Sequence, residues 1–146
     1  MIYIGIDPGA NGGIGIIDTS EGAEAYLYTD DTLIDLLYQY NTIFNKLRVM
    51  VEQVNAFPGE RGQFNFGVNY GTILGILKAM RIPFELATPR KWKKEFSLDS
   101  DKQKSIDCCK RLFPLVDLRK TERSRTDHDG KAEALLIAEY ARRHMK

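Results

Sequence analysis

Four acidic residues are spaced so that their carboxylates could meet and bind a metal ion. Asp7 ends an apolar run near the start of the chain, Glu52 ends a second one, and Asp129 and Glu133 open the last helical pattern. Carboxylates brought together without basic partners repel one another, so such a cluster implies a bound cation. Oxygen ligands without a cysteine–histidine set favour Mg²⁺ over Zn²⁺, with Mn²⁺ as the alternative.

The two helix acids also have simpler interpretations. Asp129 could act as the helix N-cap and Glu133 as a surface acid in the first turn. Their i, i+4 spacing, however, places both carboxylates on one helix face, and Glu133 lies at the boundary of the apolar face. Asp129 could cap the helix and bind a metal as well. Asp127 is the fallback for this fourth ligand, although its spacing of six residues from Glu133 puts it off that face.

Hydrophobic periodicity predicts elements that would carry these acids to one edge of a sheet. A hairpin is followed by a third strand and a helix, and then strands alternate with helices. This is the order of an α/β, ribonuclease-H-like fold: a five-stranded mixed sheet, its first three strands antiparallel, flanked by helices. The predicted strands are 3–6, 15–17, 25–29, 48–54 and 82–87. The first predicted helix follows a cap at 30–32, and the other helices cover 66–80, 89–92, 101–113 and 127–145.

Composition indicates one globular domain over residues 1–146, with 43% hydrophobic residues and a net charge of +1. The charge is uneven. Residues 81–125 hold 13 Lys or Arg against 7 Asp or Glu, whereas residues 18–35 hold six acids and no Lys or Arg. A one-sided basic surface could therefore face a polyanion despite the near-neutral total.

Several other classes of protein are disfavoured. Cys108 and Cys109 are adjacent within a helical pattern, so we expect reduced thiols rather than a disulfide. No signal peptide and no apolar run of the roughly 20 residues of a membrane span is apparent, so we expect a cytoplasmic protein. The turn from Asp7 to Gly13 could belong to a sugar-kinase-like ATPase, but that architecture needs more than twice this length. No organic cofactor is expected.

The chain resembles the RuvC family of Holliday junction resolvases, and within it the small phage-type members, over nearly its full length. A lone Gly-x-Asp-x-Gly also occurs in ATPase folds, but the order and spacing of the resembling segments are specific. These segments are Gly5-Ile6-Asp7-Pro8-Gly9, Glu52-Gln53-Val54, Pro89-Arg90 with Lys93-Lys94, Lys104-Ser105, and Asp129-Gly130-Lys131-Ala132-Glu133-Ala134-Leu135.

The resemblance implies a structure-selective endonuclease that resolves four-way DNA junctions by paired symmetric cuts. Two Mg²⁺ ions, about 4 Å apart, would flank the scissile phosphate, one activating water and the other stabilising the leaving 3′-oxygen. Asp7 would bridge the two ions. Glu52 would complete the ligands of one ion, and Asp129 with Glu133 would complete those of the other. Two cuts imply a two-fold homodimer. The resemblance implies the cytoplasm of a bacterial host cell as the setting, with a phage as one source of the protein.

This chain departs from the family at the last helix. Many members carry the two helix acids three residues apart, and that position here is Gly130, so Asp129 must substitute. His128 could activate the water or touch the phosphate, as a histidine does in some relatives, or it could be a solvated loop residue.

The predicted DNA contacts are aromatic and basic residues. Relatives often stack a phenylalanine on junction bases where this chain has Asn55. Phe57, Phe64 and Phe66 could replace it or pack in a dimer interface. By resemblance Lys93 and Lys104 match phosphate-contacting lysines, with the alternative of a solvated basic face. Arg90, Lys94 and the loop residue Arg61 are further candidates for DNA contact, and Trp92 is expected in the core.

The glycines at 67, 71 and 75 recur every four residues in the helix predicted at 66–80. Three glycines cost about 1 kcal/mol each against alanine, so a close approach is expected, with packing on the sheet favoured over approach of a ligand backbone. The small-residue face is also a candidate dimer interface. Two rival functions stay open: a ribonuclease-H-like nuclease on RNA–DNA hybrids or flaps, and a non-catalytic branched-DNA-binding protein, which Gly130 would favour.

Overall fold

A computed structural model describes residues 1–41, 46–55, 59 and 61–146 of the chain. Strands and helices alternate after an initial meander of three strands, as the periodicity predicts. Their bounds are β1 Ile2–Asp7, β2 Gly13–Asp18, β3 Gly22–Leu27, α1 Asp30–Asn41, β4 Leu47–Glu52, α2 Gln63–Ala79, β5 Phe84–Ala87, α3 Pro89–Glu95, α4 Lys102–Leu112 and α5 Asp129–His144.

The five strands form one mixed sheet in the order β3-β2-β1-β4-β5. The first three strands pair antiparallel, and β1 and β5 each pair parallel with β4. This confirms the predicted ribonuclease-H-like fold. Ile6 is paired with Val51 in the parallel register, so the next residues, Asp7 and Glu52, end neighbouring strands at the same edge of the sheet.

Helices cover both faces of the sheet, because successive side chains of each strand point to opposite faces and both sets are apolar. Ile2, Ile4 and Ile6 of β1 pack with α1 and α2, together with Leu33 and Leu77. The opposite face of the sheet packs against α3, α4 and α5, with Trp92 and Leu135 fully buried there. In the part of the chain that the structure describes, no helix is long and apolar enough to cross a membrane.

The backbone of α5 lies directly on the sheet because glycines face it. A Cβ built on Gly5 would come 2.2 Å from the carbonyl oxygen of Ala134, and one on Gly13 would come 2.3 Å from that of Gly130. Real Cβ atoms do not approach so closely, so only glycine fits at these positions. The close contact fixes the distance between the start of α5 and the strand that carries Asp7.

Several predicted boundaries shift by two or three residues. Strand β3 starts at Gly22 instead of residue 25, and β5 starts at Phe84 instead of 82. The cap of α1 is Thr29, whose Oγ1 accepts a hydrogen bond from the Thr32 amide at 3.0 Å. The segment 30–32, predicted as the cap, therefore lies inside the helix.

The prediction that the α2 glycines pack on the sheet is wrong. Nothing lies within 4 Å of a Cβ built on Gly67, Gly71 or Gly75. Val68, predicted in the core, is 53% exposed, whereas Ile73 is buried as predicted. Apolar residues occur all round α2, so its sequence does not indicate which side faces the sheet. The open side is the one with the glycines.

Both cysteines are buried and free, as predicted. Burial raises the pKa of the Cys109 thiol to about 12, so this thiol is protonated at neutral pH. Unreactive buried thiols of this kind belong to the packing between α4 and α5.

Candidate functional site

Asp7 and Glu52 meet at the carboxyl ends of β1 and β4, and both are nearly fully buried. Burial raises the pKa of Asp7 well above its usual range, and the charges of Glu52 and Glu133 raise it further. The two carboxyl groups lie within hydrogen-bonding reach of each other, which also raises the pKa of Asp7. Two buried acids in contact thus hold a proton between them when no cation balances their charge.

Glu52 is oriented by the tryptophan of α3. The indole Nε1 of Trp92 donates a hydrogen bond to Glu52 Oε1 at 3.1 Å, and the Trp92 ring is fully buried. Burial raises the pKa of Glu52, and the hydrogen bonds from Trp92 and Asp7 oppose that rise. The prediction that Trp92 lies in the core is confirmed, and its polar edge also fixes a site carboxylate.

Glu133 is the third buried acid, and its side chain is only 3% exposed. Its Oε2 lies 2.8 Å from Nζ of Lys102, and its Oε1 lies 3.1 Å from Nζ of Lys93. The hydroxyl of Ser105 donates to Oε1 at 3.2 Å. The alternative of a surface acid is therefore wrong. The charge of Glu133 reaches both Asp7 and Glu52, because it raises the pKa of each.

Asp129 lies at the rim of this cluster. Its side chain is 37% exposed, and its Oδ2 lies 3.4 Å from Nζ of Lys102. The N-cap of α5 is His128, whose Nδ1 accepts a hydrogen bond from the Lys131 amide at 3.3 Å. The capping interpretation of Asp129 is wrong, and so is a purely solvated His128. Asp127, the fallback ligand, forms an ion pair with Lys110 at 2.9 Å.

Gly130 has a packing reason that explains the departure at this position. A Cβ there would lie 2.2 Å from the carbonyl oxygen of Asn11. The first turn of α5 therefore admits no side chain at residue 130, and an acid three residues before Glu133 is impossible with this backbone. Asp129 is the acid of the first turn that can reach the cluster, since Lys102 joins it to Glu133.

The turn after Asp7 is held by α2. The amide of Gly9 donates to Oδ1 of Asn69 at 3.0 Å, and the amide of Gly12 donates to the carbonyl of Gly9 at 3.0 Å. Gly9 has a φ of 128°, which favours glycine. The conformation that presents Asp7 thus depends on a side chain from the opposite face of the sheet.

Comparison with known proteins assigns the fold. No family model matches the chain, and no curated protein matches it. A structure described as "T. thermophilus RuvC in complex with Holliday junction substrate" matches with a TM-score of 0.64 and 16% sequence identity, covering 99% of this chain and 97% of that one. The Thermus thermophilus RuvC structure matches with a TM-score of 0.61 and 18% identity, covering 98% and 96%.

The fold is that of RuvC. The resemblance that the motifs indicate is therefore confirmed at the level of three-dimensional structure. At 16–18% identity the likeness shows the fold alone, so the chemistry of this RuvC-like chain has to be argued from its own side chains.

Lys102 contacts the acidic cluster directly, although the motifs single out Lys104. Lys104, which the motif favours, is about half exposed and pairs with the exposed Asp99. Lys102 contacts Glu133 and Asp129 instead. Helical spacing contained the signal, because residue 102 lies three before the buried Ser105 and shares its face. Lys104 is not on that face.

The acidic cluster fits a hard divalent cation by its chemistry. Its donors are carboxylate oxygens, and the ammonium groups of Lys93 and Lys102 balance the charge of Glu133. Among the described residues, no three His, Cys, Asp or Glu side chains are already gathered as a metal-ligand set. Glu133 holds its oxygens against two lysines, so cation binding requires Lys102, which is 56% exposed, to withdraw.

The other residues predicted to contact DNA are distributed around the acidic cluster. Arg90, Lys93 and Lys94 line a groove beside α3, which also includes Ser97 and Ser100. Lys93 belongs to the acidic cluster as well, and its Nζ lies 5.2 Å from the centre of the Trp92 ring.

The loop before α2 is only partly described. Arg61 is exposed at the turn that starts the helix, and Phe64 is 82% exposed. Phe66 is partly buried and faces Gly9, with 3.7 Å between its ring and a Cβ built there. Phe57, the aromatic predicted to contact DNA, lies outside the described residues.

Proposed function

We propose that the protein is a divalent-metal-dependent endonuclease that cuts branched DNA, and that its substrate is the four-way junction. The observation that carries this proposal is that Asp7 and Glu52 end neighbouring strands at one edge of a RuvC-like sheet, within reach of the charge of the buried Glu133. One similar solved structure is of RuvC in complex with a Holliday junction substrate. Three buried acids serve no packing purpose, and they repel one another whenever all of them are ionised, which a bound cation would relieve.

Asp7, Glu52 and Glu133 would hold the metal, with Asp129 as the fourth ligand at the rim. The donor set suits two Mg²⁺ ions, with Mn²⁺ as an alternative. Bound cations would supply activation of the attacking water and stabilisation of the leaving 3′-oxygen. Trp92 fixes Glu52, and Ser105 fixes Glu133. These hydrogen bonds orient the ligands in advance, which raises metal affinity.

Basic residues beside the cluster would bind the phosphates. Lys93 and Lys102 lie within the cluster, and Arg90 with Lys94 extends the basic surface along the groove beside α3. Lys104 can exchange its exposed partner Asp99 for a phosphate at little cost. These contacts would give affinity that falls with salt and carry no base specificity. Arg61 and Phe57 are assigned to the junction centre by resemblance alone.

A two-fold homodimer would place two such sites on one junction. The outer face of α2 suits the contact, because its glycines have open space beside them and Val68 and Phe64 are exposed. Two α2 helices could approach closely along this small, apolar face. The Gly9–Asn69 hydrogen bond would then link the interface helix to the turn that presents Asp7.

The decisive experiment is Mg²⁺-dependent cleavage of a labelled synthetic four-way junction, with linear duplex, flap and RNA–DNA hybrid as controls. Paired symmetric nicks in the junction alone are expected. Asp7→Asn is the matched inactive control, which should still bind the junction. Cleavage of hybrids or flaps at equal rates would show a broader nuclease. Binding without cleavage in Mg²⁺ or Mn²⁺ would show a non-catalytic protein in which Lys102 replaces the cation permanently.

A further inference from the structure

A basic loop precedes α5 and has no part in the site described above. Residues 119–126 read Arg-Lys-Thr-Glu-Arg-Ser-Arg-Thr, with four basic residues against one acid and no apolar side chain. We call this segment the basic loop. A loop of this composition buries nothing of its own, so its charge requires a separate explanation.

The base of the basic loop is firmly attached to α5. Arg119 and Asp127 form an isolated antiparallel bridge, and the amide of His128 donates to the carbonyl of Leu118 at 2.7 Å. The ammonium group of Lys131 donates to the carbonyl of Arg119 at 2.9 Å. The loop is thus held at both ends beside the first turn of α5.

The tip of the basic loop is ordered by local hydrogen bonds. The amide of Thr121 donates to Oγ of Ser124 at 3.1 Å, and the amide of Ser124 donates back to the carbonyl of Thr121 at 3.0 Å. A loop that is already folded loses little conformational entropy when it binds a partner.

Three of the four cations of the basic loop are free to bind. Arg119 is used internally, by both oxygens of Asp117 and by the carbonyl of Glu122. Lys120, Arg123 and Arg125 are exposed, and their side chains have no ion pair or hydrogen bond within the described residues. Cations on an ordered loop that pair with no acidic group of the described chain form a surface that can bind an external anion.

The basic loop lies on the other side of the acidic cluster from α3. Helix α3 reaches the cluster at β4, where Trp92 contacts Glu52. The first turn of α5, which carries the loop, lies over the start of β2, where Gly130 meets Gly13. Since β1 with Asp7 runs between β4 and β2, α3 and the anchored base of the loop lie beside the two strands that flank β1.

We propose that the basic loop binds the phosphates of DNA on the β2 side of the acidic cluster, so that the backbone is held on both sides of the cut. This inference rests on the proposed function, because it takes DNA as the substrate. The free guanidinium groups of Arg123 and Arg125 match phosphate geometry. A protein partner would need an apolar centre of contact, which residues 119–126 do not offer.

The test removes the three free charges together. The loop variant carries Lys120→Gln, Arg123→Gln and Arg125→Gln. The matched control carries Lys46→Gln, Lys78→Gln and Arg81→Gln, which remove the same charge at the opposite end of the sheet, before β4 and β5. Binding of a labelled four-way junction and of a linear duplex is measured with EDTA over a salt series, and circular dichroism checks that both variants fold.

We expect the salt slope of log affinity to fall by about 2 to 3 in the loop variant, at roughly 0.9 per lost contact. Between 50 and 200 mM salt, wild-type affinity would then drop about 40-fold more than that of the loop variant. The control variant should keep the wild-type slope. A loop variant with the wild-type slope, or equal losses in both variants, would overturn the inference.

The same experiment separates this inference from the proposed function. If the wild type binds DNA and the slope falls only in the loop variant, the basic loop is a DNA contact even when no substrate is cleaved. In that case the nuclease assignment fails alone. If the wild type binds neither junction nor duplex, both proposals are overturned, and an acidic protein becomes the partner to test for the loop.

Discussion

Replacing Lys102 by methionine tests whether its ammonium group is the counter-ion of the metal-free acidic cluster. Lys102 contacts Glu133 at 2.8 Å and Asp129 at 3.4 Å, and its charge also lowers the pKa of Asp7. Methionine keeps most of the apolar stem and removes only the charge. We expect the metal-free variant to be less stable than the wild type.

The size of the loss follows from the burial of the two partners. A hydrogen bond to a charged group contributes about 1.5–3 kcal/mol, but Lys102 is half exposed and solvent weakens the pair. Lys93 also stays on the other oxygen of Glu133. A loss of about 1–2 kcal/mol is therefore expected, which lowers the melting temperature of a domain of this size by roughly 2–8 °C.

Added metal should stabilise the Lys102→Met variant more than it stabilises the wild type. A cation that binds the folded state stabilises it in proportion to the logarithm of its concentration over Kd, and in the variant it no longer competes with an ammonium group. Thermal denaturation in EDTA and in rising Mn²⁺ measures both effects. Lys104→Met is the matched control, since its lysine lies on the same helix but pairs with the exposed Asp99.

Two outcomes would refute this reasoning. One is a Lys102→Met variant that melts with the wild type in EDTA. The other is an equal rise of both melting temperatures on addition of Mn²⁺. Either result would mean that Lys102 does not occupy the position that a cation takes.

Three further changes test other parts of the molecule. Because the pKa of Asp7 is raised on folding, the stability of the metal-free protein should fall as pH rises through the folded-state pKa. Asp7→Asn should remove this fall in thermal melts with EDTA, and it should abolish cleavage. A variant that still cleaves DNA would contradict the metal site. Trp92→Phe should cost about 2–4 kcal/mol in urea denaturation through the lost bond to Glu52 and the lost volume; a smaller loss would deny that bond. Gly71→Ala should stabilise the monomer by about 0.5–1 kcal/mol and weaken dimerisation in sedimentation experiments, and unchanged dimerisation would exclude this face.

The sequence predicts the fold and the positions of Asp7, Glu52 and Glu133, and the reason is physical. Strand periodicity is a local pattern, and the order of strands and helices indicates the fold in which β1 and β4 pair in parallel and bring Asp7 and Glu52 to one edge. The buried position of Glu133 follows from helical spacing in the same way. Local rules are sufficient for these features because each acid lies at a definite place in its own element.

Other features depend on packing that no local pattern contains. The apolar residues of α2 surround the helix, so the sequence could not show that Gly67, Gly71 and Gly75 face away from the sheet. The ion pair between Lys102 and Asp129 joins two different helices, so it depends on how α4 packs beside α5. Gly130 looked like a missing acid, yet contact with Asn11 explains it.

The docking of α5 on β1 and β2 determines when the site can exist. A chain still being synthesised presents Asp7 and Glu52 early, but Glu133 follows only after the rest of the sheet has been made. Contacts between residues so distant in sequence form late, since their loop closure is entropically costly. A nascent chain on the ribosome therefore has two of the three buried acids and no complete cation site. The proposed cutting activity would therefore require the finished chain with α5 docked on the sheet.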